Sequence, residues 1–326
     1  MKKLFLFIGV SMALMAKTQS IVFGAGCFWG VEKYFDTLDG VIRATSGYAG
    51  GNYENPTYQQ VLEQRETDVG IINHTEAVEV IYDDSKISTK TLIQLFWQLH
   101  DPTQLNRQGN DVGNNYRSAL YYTNDEQKEI ALSTKKVYQE LLYKAGYKEI
   151  ATEIKPLEKF YTAEEYHQNY LKKNPHGYCP NHSTGVKFTD DEEAFYRALA
   201  EVRFGVDSDV FDVAYNQSTD RRFSKRYEEF KNTKDGVFVD KISGEILFDT
   251  RDRFDSGSGW LSFFKAVDGA TIEKEDNSHG MSRTEVIAKK SKAHLGHVFD
   301  DAPNGRKRFC INATVLDFVP REELKK

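Results

Sequence analysis

Apolar positions in the first half of the chain switch between two periods. Ile21-Val22-Phe23 is an apolar run short enough for a buried strand. It runs into Gly24-Ala25-Gly26-Cys27, after which Val31, Tyr34, Phe35 and Leu38 recur at helical spacing. Residues 76–82 alternate like a strand, and residues 89–100 place Leu92, Ile93, Phe96, Trp97 and Leu99 at helical spacing. Residues 116–122 form a further strand, and 125–145 an amphipathic helix capped by Thr123 or Asn124. This mixture predicts an α+β domain over residues 21–189. The run Asp190-Asp191-Glu192-Glu193 marks a boundary and is read as the start of a solvated linker over 190–206. Beyond Asp207 the texture changes to short strands at 236–240, 245–248 and 314–319. Glycines at 244, 257, 259, 280, 296 and 305 punctuate them, which predicts a mainly antiparallel β domain over 207–326. No internal repeat relates the halves.

Ahead of the first strand, Lys2 and Lys3 precede an apolar segment over 4–16 and then the polar Lys17-Thr18-Gln19-Ser20. This is the layout of a secretory leader over 1–20, cleaved after Ala13 or Ala16. Its core falls short of the ~20 apolar residues that span a bilayer, so an uncleaved anchor is the lesser alternative. The expected location is outside the cytoplasm, in a bacterial periplasm or cell envelope.

A length of 326 residues allows two domains, each with its own core. The net charge of −6, with no long basic cluster, argues against nucleic acid as a partner. The three cysteines, Cys27, Cys179 and Cys310, are far apart and include no Cys-x-x-Cys, which excludes a thioredoxin-like module and a four-cysteine zinc site. An odd count leaves at least one thiol unpaired or reactive. No sustained heptad or apolar stripe stands out, so a monomer is expected.

Cys27 falls at the start of a helix, where unpaired N–H groups and the helix dipole favour a thiolate; the competing reading is a small buried thiol in a strand-to-helix turn. Gly26-Cys27-Phe28-Trp29-Gly30 resembles the active-site signature of the peptide methionine sulfoxide reductase A family. Residues 73–78 and 108–118 resemble its second and third signatures, and Asn55-Pro56-Thr57-Tyr58 carries a further matching tyrosine. The resemblance implies that Cys27 attacks a sulfoxide sulfur, that Glu76, Asp111, Tyr58 and Tyr116 polarise and protonate the oxygen, and that Phe28 and Trp29 receive the methyl group. Residues 164–179 resemble the family's C-terminal segment, which implies that Cys179, in a mobile stretch, resolves the Cys27 sulfenic acid as a disulfide. A permanent structural Cys27–Cys179 disulfide is the rival. Residues 63–72 form a longer segment than the family pattern has.

The second half resembles methionine sulfoxide reductase B through residues 253–263, 282–286, 294–301 and 306–312. Cys310 has Arg308 as a cationic neighbour that would favour thiolate. His294 and His297 can donate protons, Asp301 or Asn312 can orient them, and Trp260 would wall the substrate methyl. His-x-x-His with Cys310 could also hold a metal. The Cys-x-x-Cys pairs that hold zinc in many family members are missing, so no metal and no cofactor is expected. Ser258 stands where some members have a resolving cysteine, and Leu261 where the usual residue is proline. Cys310 therefore depends on an external thiol protein or, speculatively, on a thiol of the first domain.

Together the resemblances imply a fused pair of reductases with a ferredoxin-like α+β domain followed by antiparallel β-sheets. The first domain takes the S epimer and the second the R epimer of methionine sulfoxide in oxidised proteins or peptides, with electrons from a thioredoxin-like partner. A thiol peroxidase using Cys27 and Cys179, or an envelope binding protein on a degenerate reductase scaffold, are the alternatives.

Overall fold

The computed structural model describes residues 18–64, 70–178, 180 and 182–325. The chain divides into two compact units, Met15–Asp191 and Glu192–Lys326. The first strand begins at Thr18, inside the stretch read as a leader; the leader core with Ala13 and Ala16 lies outside the described residues, as do Cys179 and residues 65–69 of the lengthened segment.

The first unit runs β1 (Thr18–Ala25), α1 (Phe28–Asp36), β2 (Val41–Ala49), α2 (Tyr58–Glu63), β3 (Thr75–Asp83) and α3 (Thr89–Leu99). A two-residue ribbon of β4 (Arg107–Gln108) and β5 (Asp111–Val112) follows, then β6 (Ser118–Tyr122), α4 (Asp125–Lys144), β7 (Glu153–Pro156), β8 (Phe160–Thr162) and α5 (Tyr170–Lys173). The sheet order is β7-β6-β1-β3-β2-β8. Its four central strands, β6-β1-β3-β2, are mutually antiparallel, with α1 joining β1 to β2 and α3 on the connection from β3 to β6. That is the expected ferredoxin-like arrangement.

The apolar periods explain the packing. Ile21, Val22 and Phe23 are fully buried, and the Phe23 ring stacks on Phe35 of α1 and Phe96 of α3, each 4.9 Å between centroids. Each such buried ring stabilises the unit by roughly 2–3 kcal/mol through the area it removes from water. Ser88 and Asn124 cap α3 and α4 by accepting from the Thr91 and Gln127 N–H groups, so both helices start where the sequence places them.

The second unit opens with α6 (Glu192–Phe204), α7 (Asp209–Asn216) and α8 (Lys225–Phe230). The linker expected over 190–206 is thus largely a helix. Phe195, Tyr196, Leu199 and two alanines are buried along it, and Arg197 lies over the Phe211 and Tyr215 rings of α7. The acidic run does not signal a solvated spacer. Glu192 and Glu193 occupy the first turn, where negative charge complements the helix dipole.

The strands are β9 (Gly236–Asp240), β10 (Ile246–Asp249), β11 (Arg253–Phe254), β12 (Leu261–Phe263), β13 (Thr271–Asp276), β14 (Arg283–Ala288), β15 (His294–Ala302), β16 (Arg306–Ile311) and β17 (Leu316–Pro320). They form two antiparallel sheets, β10-β9-β17 and β11-β12-β16-β15-β14-β13. The buried rings of Phe238 and Phe248 from one meet Phe263 of the other at 5.5 and 4.6 Å, which joins the sheets over one core.

Candidate active site

Gly26 takes φ +86° to turn the end of β1 into α1, and Cys27 is the N-cap of that helix, half-buried. The first helical N–H, that of Phe28, donates to Glu76 Oε2 at 3.2 Å. Glu76 reaches it from β3, the strand that pairs with β1. The carboxyl is 2 % exposed, and burial pushes its pKa up to about 8 against the pull of the Phe28 N–H, with the Asp111 charge adding to the rise. Glu76 is therefore mostly protonated at neutral pH, an acid at the start of the helix that Cys27 caps.

Two phenols share the field of this carboxyl. Burial, then the charges of Glu76 and Cys27, push Tyr58 up to about 12. Burial and Glu76 likewise raise Tyr116, which ends the single turn Asn114–Tyr116. Both keep their protons and can donate them. Asp111 sits on β5, with Tyr178 donating to its Oδ1 at 3.1 Å.

Phe28 and Trp29 lie in an aromatic cluster. Phe28 is 1 % exposed, its ring 5.9 Å from Tyr48 and 4.9 Å from His167; Trp29 stacks on Tyr170 at 3.8 Å. Trp29 Nε1 donates to His167 Nδ1 at 3.0 Å, and burial holds His167 below its usual pKa so that this nitrogen can accept. Glu164 ties in the rim, accepting from the Tyr48 hydroxyl at 2.8 Å and the Tyr58 N–H at 2.9 Å. Sequence reasoning did not single out Glu164 or His167, although both lie in the segment 164–171 that carries the resemblance. Their partners are over a hundred residues away, which periodicity does not report. A cavity of about 380 Å³ opens beside Cys27, lined by Val31, Tyr34, Leu99, Pro180 and His182 among others.

In the second unit Cys310 lies on β16, opposite His297 of β15 on one side and Ser262 of β12 on the other. Burial raises its thiol pKa, against the Arg308 charge and hydrogen bonds from Ser258 and Arg308. The expected cationic neighbour is present, but desolvation outweighs it. Trp260 is held by its Nε1 donating to the Asp220 carbonyl at 2.9 Å.

The histidines are oriented by other groups than those expected. His294, 4 % exposed, pairs through Nδ1 with Glu285 at 2.6 Å, and His297 pairs through Nε2 with Asp276 at 2.7 Å. Asp301 instead clamps Arg308 with two 2.8 Å hydrogen bonds, and Asn312 accepts the Asp220 N–H at 3.0 Å. A bidentate match to guanidinium suits a carboxylate better than a single imidazole contact does, which leaves the histidines to Glu285 and Asp276. Hydrogen bonds from Ser278 and His297, with the Arg283 charge, hold Asp276 far below the usual carboxylate range and keep it an acceptor. Among the described residues, no group of three or more His, Cys, Asp or Glu is arranged to hold a metal ion.

Two family profiles match the chain, one in each half. The profile of the peptide methionine sulfoxide reductase family matches residues 19–197, and that of the SelR domain matches residues 206–320. Among solved structures, methionine sulfoxide reductase A of Corynebacterium diphtheriae is 41 % identical over 54 % of this chain and 84 % of its own, with a TM-score of 0.45. Mxr1 of Saccharomyces cerevisiae in reduced form is 38 % identical over 53 % of this chain and 93 % of its own, also with a TM-score of 0.45. The chain belongs to the peptide methionine sulfoxide reductase family, with a SelR domain fused behind the first, and is an enzyme that reduces methionine sulfoxide.

Proposed function

We propose that the two sites divide the substrate by its configuration at sulfur, the first unit reducing the S epimer and the second the R epimer in oxidised proteins or peptides. Oxidation makes the sulfur a stereocentre, so complete repair requires two differently shaped pockets. The observation that carries the reading is the buried Glu76 carboxyl accepting the first N–H of the helix that Cys27 caps. A thiol and an acid are thereby brought to one helix start, as sulfoxide reduction requires.

In the first site Cys27 attacks the sulfoxide sulfur while Glu76, helped by Tyr58 and Tyr116, gives a proton to the oxygen. The oxygen ends on Cys27 as a sulfenic acid, methionine leaves, and Cys179 closes a disulfide with loss of water. Phe28 and Trp29 receive the methyl group, and Asp111 helps to polarise the substrate. In the second site Cys310 attacks, Arg308 stabilises its thiolate, His294 and His297 supply the proton, and Trp260 walls the methyl. The Cys310 sulfenic acid is then reduced by an external thiol.

A thioredoxin-like protein is the proposed electron donor, because the chain has no cysteine beyond these three. In support, a solved structure holds the yeast relative Mxr1 in complex with Trx2. The basic-then-apolar N-terminal segment supports export to a bacterial periplasm or envelope, where methionine oxidation is frequent.

The test is a single-turnover assay with pre-reduced protein freed of reductant, given separated S and R sulfoxide peptides. Cys27→Ser is expected to lose only S reduction and Cys310→Ser only R reduction, with a disulfide formed by the wild type in the first unit alone. Failure of the wild type to reduce either epimer would overturn the reading.

A further inference from the structure

The chain after Gly177 grips one carboxylate of the first site from two positions. The Tyr178 hydroxyl donates to Asp111 Oδ1 at 3.1 Å, and His182 Nε2 lies 3.7 Å from Asp111 Oδ2. That oxygen and that nitrogen are both buried, and among the described residues neither has a hydrogen-bond partner. Isolated, each would cost free energy; facing one another, they offset part of it. In sequence, Tyr178 and His182 flank Cys179.

Glycines make the seat for this imidazole. A Cβ on Gly109 would fall 2.7 Å from the His182 ring, and one on Gly26 would meet it at 4.0 Å. Gly26 directly precedes Cys27, and His182 also lines the cavity beside that thiol. The stretch beyond is anchored on the helices. Ser183 Oγ donates to the Gln98 carbonyl of α3 at 2.6 Å, and the Tyr138 hydroxyl of α4 bonds Thr184 Oγ1 and the Val186 carbonyl, both at 3.1 Å. Described residues before and after Cys179 in sequence are thus held, Tyr178 on Asp111 and Ser183, Thr184 and Val186 on the helices.

We propose that Tyr178 and His182 latch this segment onto Asp111, and that the latch sets the rate of disulfide closure relative to that of sulfoxide reduction. The inference rests on the reading of Cys179 as the resolving thiol. In that step the Cys179 thiolate attacks Cys27 Sγ and the S–O bond of the sulfenic acid breaks. Hydroxide leaves as water with the proton that Cys179 gave up, so no outside oxidant or reductant is consumed. Closure requires two sulfurs to meet in line, and a short span pinned at both ends samples far fewer wrong geometries than a loose one. His182 is a positioning residue, acting through the segment that it holds.

Rapid-quench single turnover separates the two steps, with methionine released reporting the first and loss of a second thiol reporting the second. His182→Ala is expected to slow disulfide closure about tenfold more than it slows methionine release. Cys27 sulfenic acid should then accumulate and be trapped by dimedone. His182→Asn, whose amide can still donate to Asp111, should recover part of the closure rate, which guards against a folding defect; Tyr178→Phe should show a smaller delay. Closure at the wild-type rate in His182→Ala, or equal losses in both steps, overturns the latch. Cys179→Ser tests the underlying reading separately: if that variant still loses a second thiol as the wild type does, Cys179 is not the resolving residue and the latch falls with it.

Discussion

Glu76 shows how burial decides chemistry at a single residue. Desolvation raises its pKa to about 8, and the Phe28 N–H, which favours the ionised form, does not reverse this. The first chemical step should therefore be fast at pH 7 and fall as pH rises through about 8, and Glu76→Gln should slow S reduction by ~10²-fold or more. The same shift has a stability signature. A carboxyl whose folded pKa lies above its unfolded value binds its proton more tightly in the native state. Its contribution is therefore intact below the unfolded pKa of 4.5 and is lost as pH rises to about 8. Glutamine carries no such loss, so denaturant melts should find the variant about 2–4 kcal/mol more stable relative to wild type at pH 8 than at pH 4. A gap that does not change with pH would place the Glu76 pKa elsewhere. Cys310 shows the same balance in a thiol: Arg308 was legible as a neighbour two residues away, but the burial that outweighs it comes from strands distant in sequence.

At the scale of elements, the first site depends on how β1 hands over to α1. Gly26 is held at φ +86°, where a side chain is strained, and a Cβ there would fall 2.8 Å from Gln108 Cβ. Gly26→Ala should destabilise the first unit by about 2–4 kcal/mol and lower S reduction while leaving R reduction unchanged. Wild-type melting and S activity in this variant would show that the turn tolerates a side chain. This turn was readable because its signals are local: a buried apolar run, two glycines and a helical period follow one another within twenty residues. The elements the sequence placed, β1, α1, β3, α3, β6, α4, β9, β10 and β17, were legible for the same reason, whereas β2 and β11 to β16 were not singled out. Helix α6 was not, because four acidic residues look alike in a spacer and at a helix start, and only the buried Phe195, Tyr196 and Leu199 distinguish them. Nor were the partners of the histidines, since Glu285 and Asp276 reach them across strand pairs. A buried imidazole demands an acceptor, but sequence alone does not say which.

At the scale of the whole molecule, each unit carries one of the two proposed nucleophiles, Cys27 within Met15–Asp191 and Cys310 within Glu192–Lys326. The second has no other cysteine, and the hydroxyl beside its thiol belongs to Ser258, which cannot form a disulfide. Ser258 is instead tied into a chain of hydroxyls, with Ser256 bonding Ser258 at 2.8 Å and Ser262 at 2.7 Å. This arrangement orients a donor toward Cys310 and offers a sulfenic acid formed there no resolving thiol within the unit. On the proposed reading an external reductant serves the second site without the thiols of the first unit. A Cys27→Ser/Cys179→Ser double variant should reduce one equivalent of R epimer per chain without reductant and yield a dimedone-trappable Cys310. With a small dithiol supplied, it should turn over at the wild-type rate. A fall in that turnover, with the single-turnover yield intact, would instead route the second site's electrons through the first unit.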